Sequence, residues 1–160
     1  VNGAGRVIAF DLGARRIGFA VSDPIRLLAE RGGHLQRSGD SYPWKDILRV
    51  IQEEEATQVV VGDPLSMSGR SGDASQAARA FAHELSRRSG LSCEMEDERL
   101  TSVEASRILV QKRKPRARIP TKKKREEHRA QIDRIAALII LQAWLDRQPR
   151  PSTRGKGSAP

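Results

Sequence analysis

Apolar residues come in short, sharply bounded runs along this chain. Residues 7–12 and 17–21 form two of them, separated by Gly13-Ala-Arg-Arg16, and together they predict a β-hairpin near the N-terminus. Residues 33–37 supply a third antiparallel strand. From Pro43 to Ala56 the spacing becomes helical, with Trp44, Ile47, Leu48 and Ile51 on one face. Gln58-Val-Val-Val-Gly62 is apolar without alternation, as expected of a parallel strand covered on both faces. A Ser/Gly loop over residues 66–72 then leads into a helix over 73–88, whose stripe is Ala77, Phe81 and Leu85. Residues 91–95 form the next strand, 102–110 a helix, and 126–147 a final helix with the stripe Ile132, Ile135, Ala136, Ile139 and Ala143.

This order, a hairpin followed by alternating strands and helices, predicts an α/β fold: a mixed five-stranded sheet with helices on both faces, closed by right-handed crossovers. One domain over residues 1–147 accounts for the pattern. A mobile basic loop at about 111–125 interrupts it, and a Pro/Gly/Ser-rich disordered tail over 148–160 follows. A chain of 160 residues suits one domain with a real core. With 38% hydrophobic, 31% charged and 4% aromatic residues it reads as a charge-rich globular protein with no membrane span and no signal peptide. The single cysteine, Cys93, excludes an internal disulfide, makes a cytoplasmic location the default, and falls on a strand as a buried thiol.

Charge changes this picture, because the net +9 is local. Residues 1–111 carry 14 Lys/Arg against 16 Asp/Glu, whereas residues 112–160 carry 15 against 4. Nine of the basic residues fall between positions 112 and 125: Lys112, Arg113, Lys114, Arg116, Arg118, Lys122, Lys123, Lys124 and Arg125. A run this dense favours a phosphate-rich partner, since each phosphate contact releases condensed counterions. The plain alternative is a solvated loop. Membrane adsorption is disfavoured, because Pro115 and Pro120 break any amphipathic helix there.

Candidate chemistry lies with the acids. Asp11 stands inside the first strand, where a charge is costly to desolvate without a partner. Asp97 and Glu98 stand at the carboxyl end of the last strand, where open α/β sheets place their crevice. Asp133 borders the apolar stripe of the final helix over Ala136 and Ala137, residues small enough to let that helix approach the sheet. Converging, such carboxylates make an all-oxygen site for Mg²⁺ or Mn²⁺. Two such ions can activate water and stabilise the leaving oxygen of a phosphodiester. Taken singly, each acid also has an ordinary role: Asp11 facing water, Asp133 against a helix dipole, Asp97 and Glu98 paired with Arg99. His34, His83 and His128 show no metal-ligand spacing.

Four stretches then resemble the YqgF/RuvX family, the Holliday-junction-resolvase-like branch of the RNase H-like nucleases. They are Phe10-Asp-Leu-Gly-Ala-Arg-Arg-Ile-Gly-Phe-Ala-Val-Ser-Asp23, Val59-Val-Val-Gly-Asp-Pro-Leu-Ser-Met-Ser-Gly69, Asp97-Glu-Arg-Leu-Thr-Ser-Val-Glu-Ala105, and the segment from Ile132 to Asp146. The resemblance implies an RNase H-like sheet and a cytoplasmic, metal-dependent nuclease. Members are assigned to maturing the 5′ end of the 16S ribosomal RNA precursor, and others have been treated as resolvases of four-way DNA junctions. It implies Asp11, the pair Asp97/Glu98 and Asp133 as catalytic carboxylates, with Asp11, Glu98 and Asp133 as metal ligands. Arg15, Arg16, Arg99 and Thr101 would join the basic run on the nucleic-acid side. Asp63 departs from the family pattern, which has an apolar residue there, and is a candidate extra ligand; the alternative is a turn Asp before Pro64.

The rival function is a non-catalytic RNA-binding factor of ribosome assembly that keeps the fold. A nucleotide-binding ATPase of the actin and sugar-kinase type also opens with a strand Asp-x-Gly, but it needs two lobes and a second phosphate loop, and neither is found. Lys and Arg read phosphate charge rather than sugar identity, so RNA and DNA are equally served, and the chain is expected as a monomer or homodimer.

Overall fold

The computed structural model describes residues 5–65, 72–100 and 121–150. The helix expected over 102–110, the basic residues from Lys112 to Arg118 and the end of the tail lie outside them, as does Thr101.

Strands β1 (Arg6–Leu12) and β2 (Arg16–Ser22) form the expected hairpin, in register from Ile8 opposite Val21 to Leu12 opposite Ile17. A backbone hydrogen bond from Gly13 N to Arg16 O, 2.9 Å, closes its turn. The third strand, β3 (Ala29–Gln36), runs antiparallel to β2 and starts earlier than expected. Its sequence, Ala-Glu-Arg-Gly-Gly-His-Leu-Gln, has little apolar alternation, so backbone pairing along the sheet edge defines it. The chain continues through α1 (Trp44–Glu53), β4 (Ala56–Asp63), α2 (Asp73–Ser89) and β5 (Cys93–Asp97). A single 3₁₀ turn (Glu98–Leu100) follows, and then α3 (Lys122–Asp146). Both β4 and β5 join in parallel, giving the order β3-β2-β1-β4-β5 with β1 at the centre.

Alternation along the strands sorts side chains to two cores. Ile8, Phe10, Val59 and Val61 pack with Ile47, Val50 and Ile51 of α1 and Phe81 and Leu85 of α2. Val7, Ala9, Ala20 and Val60 pack on the other face against Ala136, Ala137, Ile140, Leu141 and Trp144 of α3. The final helix differs from expectation twice. Its buried stripe includes Ala136 but otherwise runs through Ala137, Ile140, Leu141, Trp144 and Leu145, leaving Ile132, Ile135, Ile139 and Ala143 half-buried. Apolar residues crowd most of its circumference beyond position 134, so the pattern alone could not phase it. The helix also begins at Lys122, with the Thr121 hydroxyl accepting from Lys124 N at 3.4 Å. Lys122, Lys123, Lys124 and Arg125 therefore occupy its exposed first turn rather than a loop. No helix among the described residues is long and apolar enough to cross a membrane.

Candidate active site

Strand parity decides which acids can meet. Asp11 follows Val7 and Ala9 along β1, so it faces α3, and it is only 4% exposed. Its neighbour on β2 is Gly18, and its neighbour on β4, one step beyond the Phe10–Val61 pair, is Gly62. Both glycines stand where something else comes close. A Cβ at Gly18 would run into the backbone carbonyl of Asp133. A Cβ at Gly62 would stand 2.7 Å from Glu98 Oε1 and 2.8 Å from the Ile140 methyl. The missing side chains thus let α3 settle on one side of Asp11 and the Glu98 carboxylate on the other. Asp11, Glu98 and Asp133 are brought to one face at the carboxyl end of the central strands.

Asp133 lies well inside α3, beyond the first turn where the helix dipole acts, so a dipole partnership does not explain it. Its Oδ2 accepts from Arg16 Nε at 2.9 Å. Arg16 is nearly buried, so this pair ties the hairpin to the helix. Among the described residues no three His, Cys, Asp or Glu side chains are grouped so as to hold a metal ion, and the Asp133 carboxylate is turned to the guanidinium. The donors themselves suit a hard cation: carboxylate oxygens, with Glu98 and α3 seated in the two glycine gaps beside Asp11. The donor type on this face is that of a hard cation, while the described side chains are not closed around one.

Asp97 and Asp63 go elsewhere. Cys93 and Met95 pack toward α1 and α2, and Asp97 follows their parity. Arg99 closes on it through backbone N (2.9 Å) and Nη2 (2.7 Å). The Arg99 hydrogen bond holds the Asp97 carboxyl below its ordinary range, and Asp97 in turn raises the guanidinium. Asp63, 2% exposed, pairs in register with Asp97 and accepts from the Ser75 hydroxyl and from Arg79 Nη2 (2.8 Å), both on α2. The structure does not bring Asp63 to Asp11. Position 63 shares the parity of Val59 and Val61, which points it through the other face of the sheet.

Two residues escaped the sequence reading. Glu96 is fully buried on β5, bonded by Arg147 just past the end of α3, with its Oε1 lacking a hydrogen-bond partner. Its signal was parity with Glu94, which accepts from Trp144 Nε1 at 3.0 Å. Arg129 precedes Asp133 by four residues, hence lies on the same helix face, and lines a cleft with Arg15, Arg16 and Asp133. Arg15 is exposed at the tip of the hairpin. Arg37 steadies that turn, donating from N to Arg15 O (2.9 Å) and from Nη1 to Gly13 O (2.8 Å).

A mixed five-stranded sheet in the order β3-β2-β1-β4-β5, with helices on both faces, is the RNase H-like fold. In line with this, the chain superposes on T. thermophilus RuvC in complex with a Holliday junction substrate. The TM-score is 0.51 at 13% identity, covering 89% of this chain and 95% of that one. The chain belongs to the RuvX family, described as Holliday junction resolvase, whose model matches residues 5–147. A Koribacter versatilis relative is 39% identical over 90% of this chain and 88% of its own length. One from Myxococcus xanthus is 38% identical over 92% of each; both are named "Putative pre-16S rRNA nuclease".

Proposed function

We propose that this protein is a metal-dependent endonuclease that hydrolyses phosphodiesters of structured nucleic acid, with the 5′ end of the 16S ribosomal RNA precursor as its main substrate. The observation that carries this reading is the buried Asp11 between Gly18 and Gly62, the two gaps through which Asp133 and Glu98 approach. Family membership and the names of the relatives support it. Asp11, Glu98 and Asp133 would hold Mg²⁺ or Mn²⁺, which when bound supplies an activated water and charge stabilisation at the leaving oxygen. Lys122, Lys123, Lys124 and Arg125 present an exposed cationic turn to the polyanion. A protein acting on a ribosomal RNA precursor would work in the cytoplasm, in keeping with that substrate. Concerted cutting of a four-way junction would need a homodimer, whereas trimming one RNA strand needs only a monomer.

The test compares a precursor carrying the 5′ extension with a four-way junction, using wild type and Asp11→Asn. Divalent-dependent trimming of the RNA by wild type alone supports the reading; cleavage that survives in Asp11→Asn refutes it. One observation favours the non-catalytic assembly factor: the Asp133 carboxylate is already engaged by Arg16. Calorimetry with Mn²⁺ separates the two, since such a factor gives no binding heat that depends on Asp11.

A further inference from the structure

Beside Asp133, the hairpin turn and α3 border an open cleft of about 360 Å³. Three guanidiniums line it, those of Arg15, Arg16 and Arg129, with a single carboxylate, Asp133. Asp133 neutralises Arg16. Arg15 and Arg129 are both exposed, and among the described residues neither has a carboxylate partner. Two cations facing one hollow repel each other, and an anion between them removes that cost. Ile132, half-buried, and Ala14 give the same hollow an apolar wall. Its volume is at the small end of ligand sites, which run from roughly 300 to 1,000 Å³.

We infer that this cleft seats the nucleotide unit adjoining the scissile bond, its phosphate held between Arg15 and Arg129 and its sugar or base laid against Ile132. The inference rests on the nuclease reading and adds to it a residue, Arg129, and a subsite. Planar guanidiniums suit the task because each can give two parallel hydrogen bonds to a phosphate. Arg129 stands one helical turn before Asp133, so a nucleotide bound there continues directly into the acidic face. The backbone bonds that Arg37 makes to Gly13 and Arg15 hold the hairpin side of the cleft in place before any ligand arrives.

The experiment measures binding of a single-stranded oligonucleotide by fluorescence anisotropy over a salt series. It uses full-length Asp11→Asn protein alone and with Arg129→Gln, Arg129→Lys or Arg49→Gln added. Arg49 is an exposed arginine of α1 already paired with Asp46, and serves as the control for bulk charge. Arg129→Gln should weaken binding about tenfold and flatten the slope of log affinity against log salt by about 0.7, the loss of one phosphate contact on a single strand. Arg129→Lys should restore the slope, and Arg49→Gln should change neither quantity. If Arg129→Gln matches Arg49→Gln, the subsite is wrong. If the affinity depends on Arg129 but wild type cuts no substrate, the nuclease reading fails and the subsite stands as a binding site.

Discussion

Arg16 and Asp133, 117 residues apart in sequence, meet at 2.9 Å in the cleft where the hairpin turns against α3. One nearly buried guanidinium thereby fixes the side chain of a candidate metal ligand. The pair has two opposed effects. It holds the helix against the hairpin, and it competes with any cation for the same carboxylate.

Arg16→Gln should therefore lower stability by about 1–3 kcal/mol, the usual range for a partly buried charged hydrogen bond. The same variant should bind Mn²⁺ more tightly than wild type. Urea denaturation and calorimetry read the two effects, and weaker Mn²⁺ binding would show that Arg16 organises Asp133 for the ion rather than competing for it.

The two glycines beside Asp11 should respond differently to alanine. At Gly18 the added methyl meets helix backbone, which cannot yield without moving α3, so Gly18→Ala should destabilise the fold by about 1–3 kcal/mol. At Gly62 it meets the tip of Glu98 and a methyl of Ile140, both able to swing aside. Gly62→Ala should keep most of the stability and lose most of the cleavage. Thermal melts paired with single-turnover rates separate the two.

Of the adjacent acids 97 and 98, only Glu98 should be needed for cleavage. Glu98→Gln should abolish turnover, whereas Asp97→Asn should leave it within a few-fold. Arg99 depresses the Asp97 carboxyl below its ordinary value of 3.8. The stability this pair contributes is present in full above that ordinary value and is lost as pH falls through the depressed one. Carboxyl-detected NMR should show the Asp97 midpoint under 3.8, and Arg99→Gln should return it toward that value.

Asp63 should prove a fastener for α2. Its removal takes one partner from the buried Ser75 hydroxyl and releases Arg79, so Asp63→Ala should cost about 1–3 kcal/mol. Mn²⁺ affinity and the rate per folded molecule should stay as in wild type. A loss of Mn²⁺ affinity at unchanged stability would return Asp63 to the ligand set.

Where the sequence misled, the reason is traceable. The hairpin, the apolar β4 run and the order of the elements among the described residues were plain, because turn residues and short apolar runs carry local information. Asp11 stood out as a lone charge amid apolar neighbours, but its burial, against the alternative of a water-facing strand residue, is visible only in the fold. Facing was harder. Val59-Val-Val61 is apolar on both sides, so nothing local says which face position 63 shares, and the parity that sends Asp63 to α2 emerges only once α3 covers the opposite face. The start of α3 was misplaced for a similar reason: Lys122 to Arg125 oppose the helix dipole, and Glu126 offered a more conventional beginning. Arg129 was passed over as one more base in a basic region, although its four-residue spacing from Asp133 was there to read.

Glu96, buried under the end of α3, gives that helix a second anchorage. Arg147 is fastened to β5 through Glu96, and Asp133 is fastened to the hairpin through Arg16. Between them the helix is a strut of about 21 Å at 1.5 Å per residue, bolted on one face of the sheet to strands on either side of β1. One residue added or removed between 133 and 147 would turn one bolt by about 100° relative to the other. The count of residues in that strut therefore sets where the last acid stands as firmly as any side chain along it.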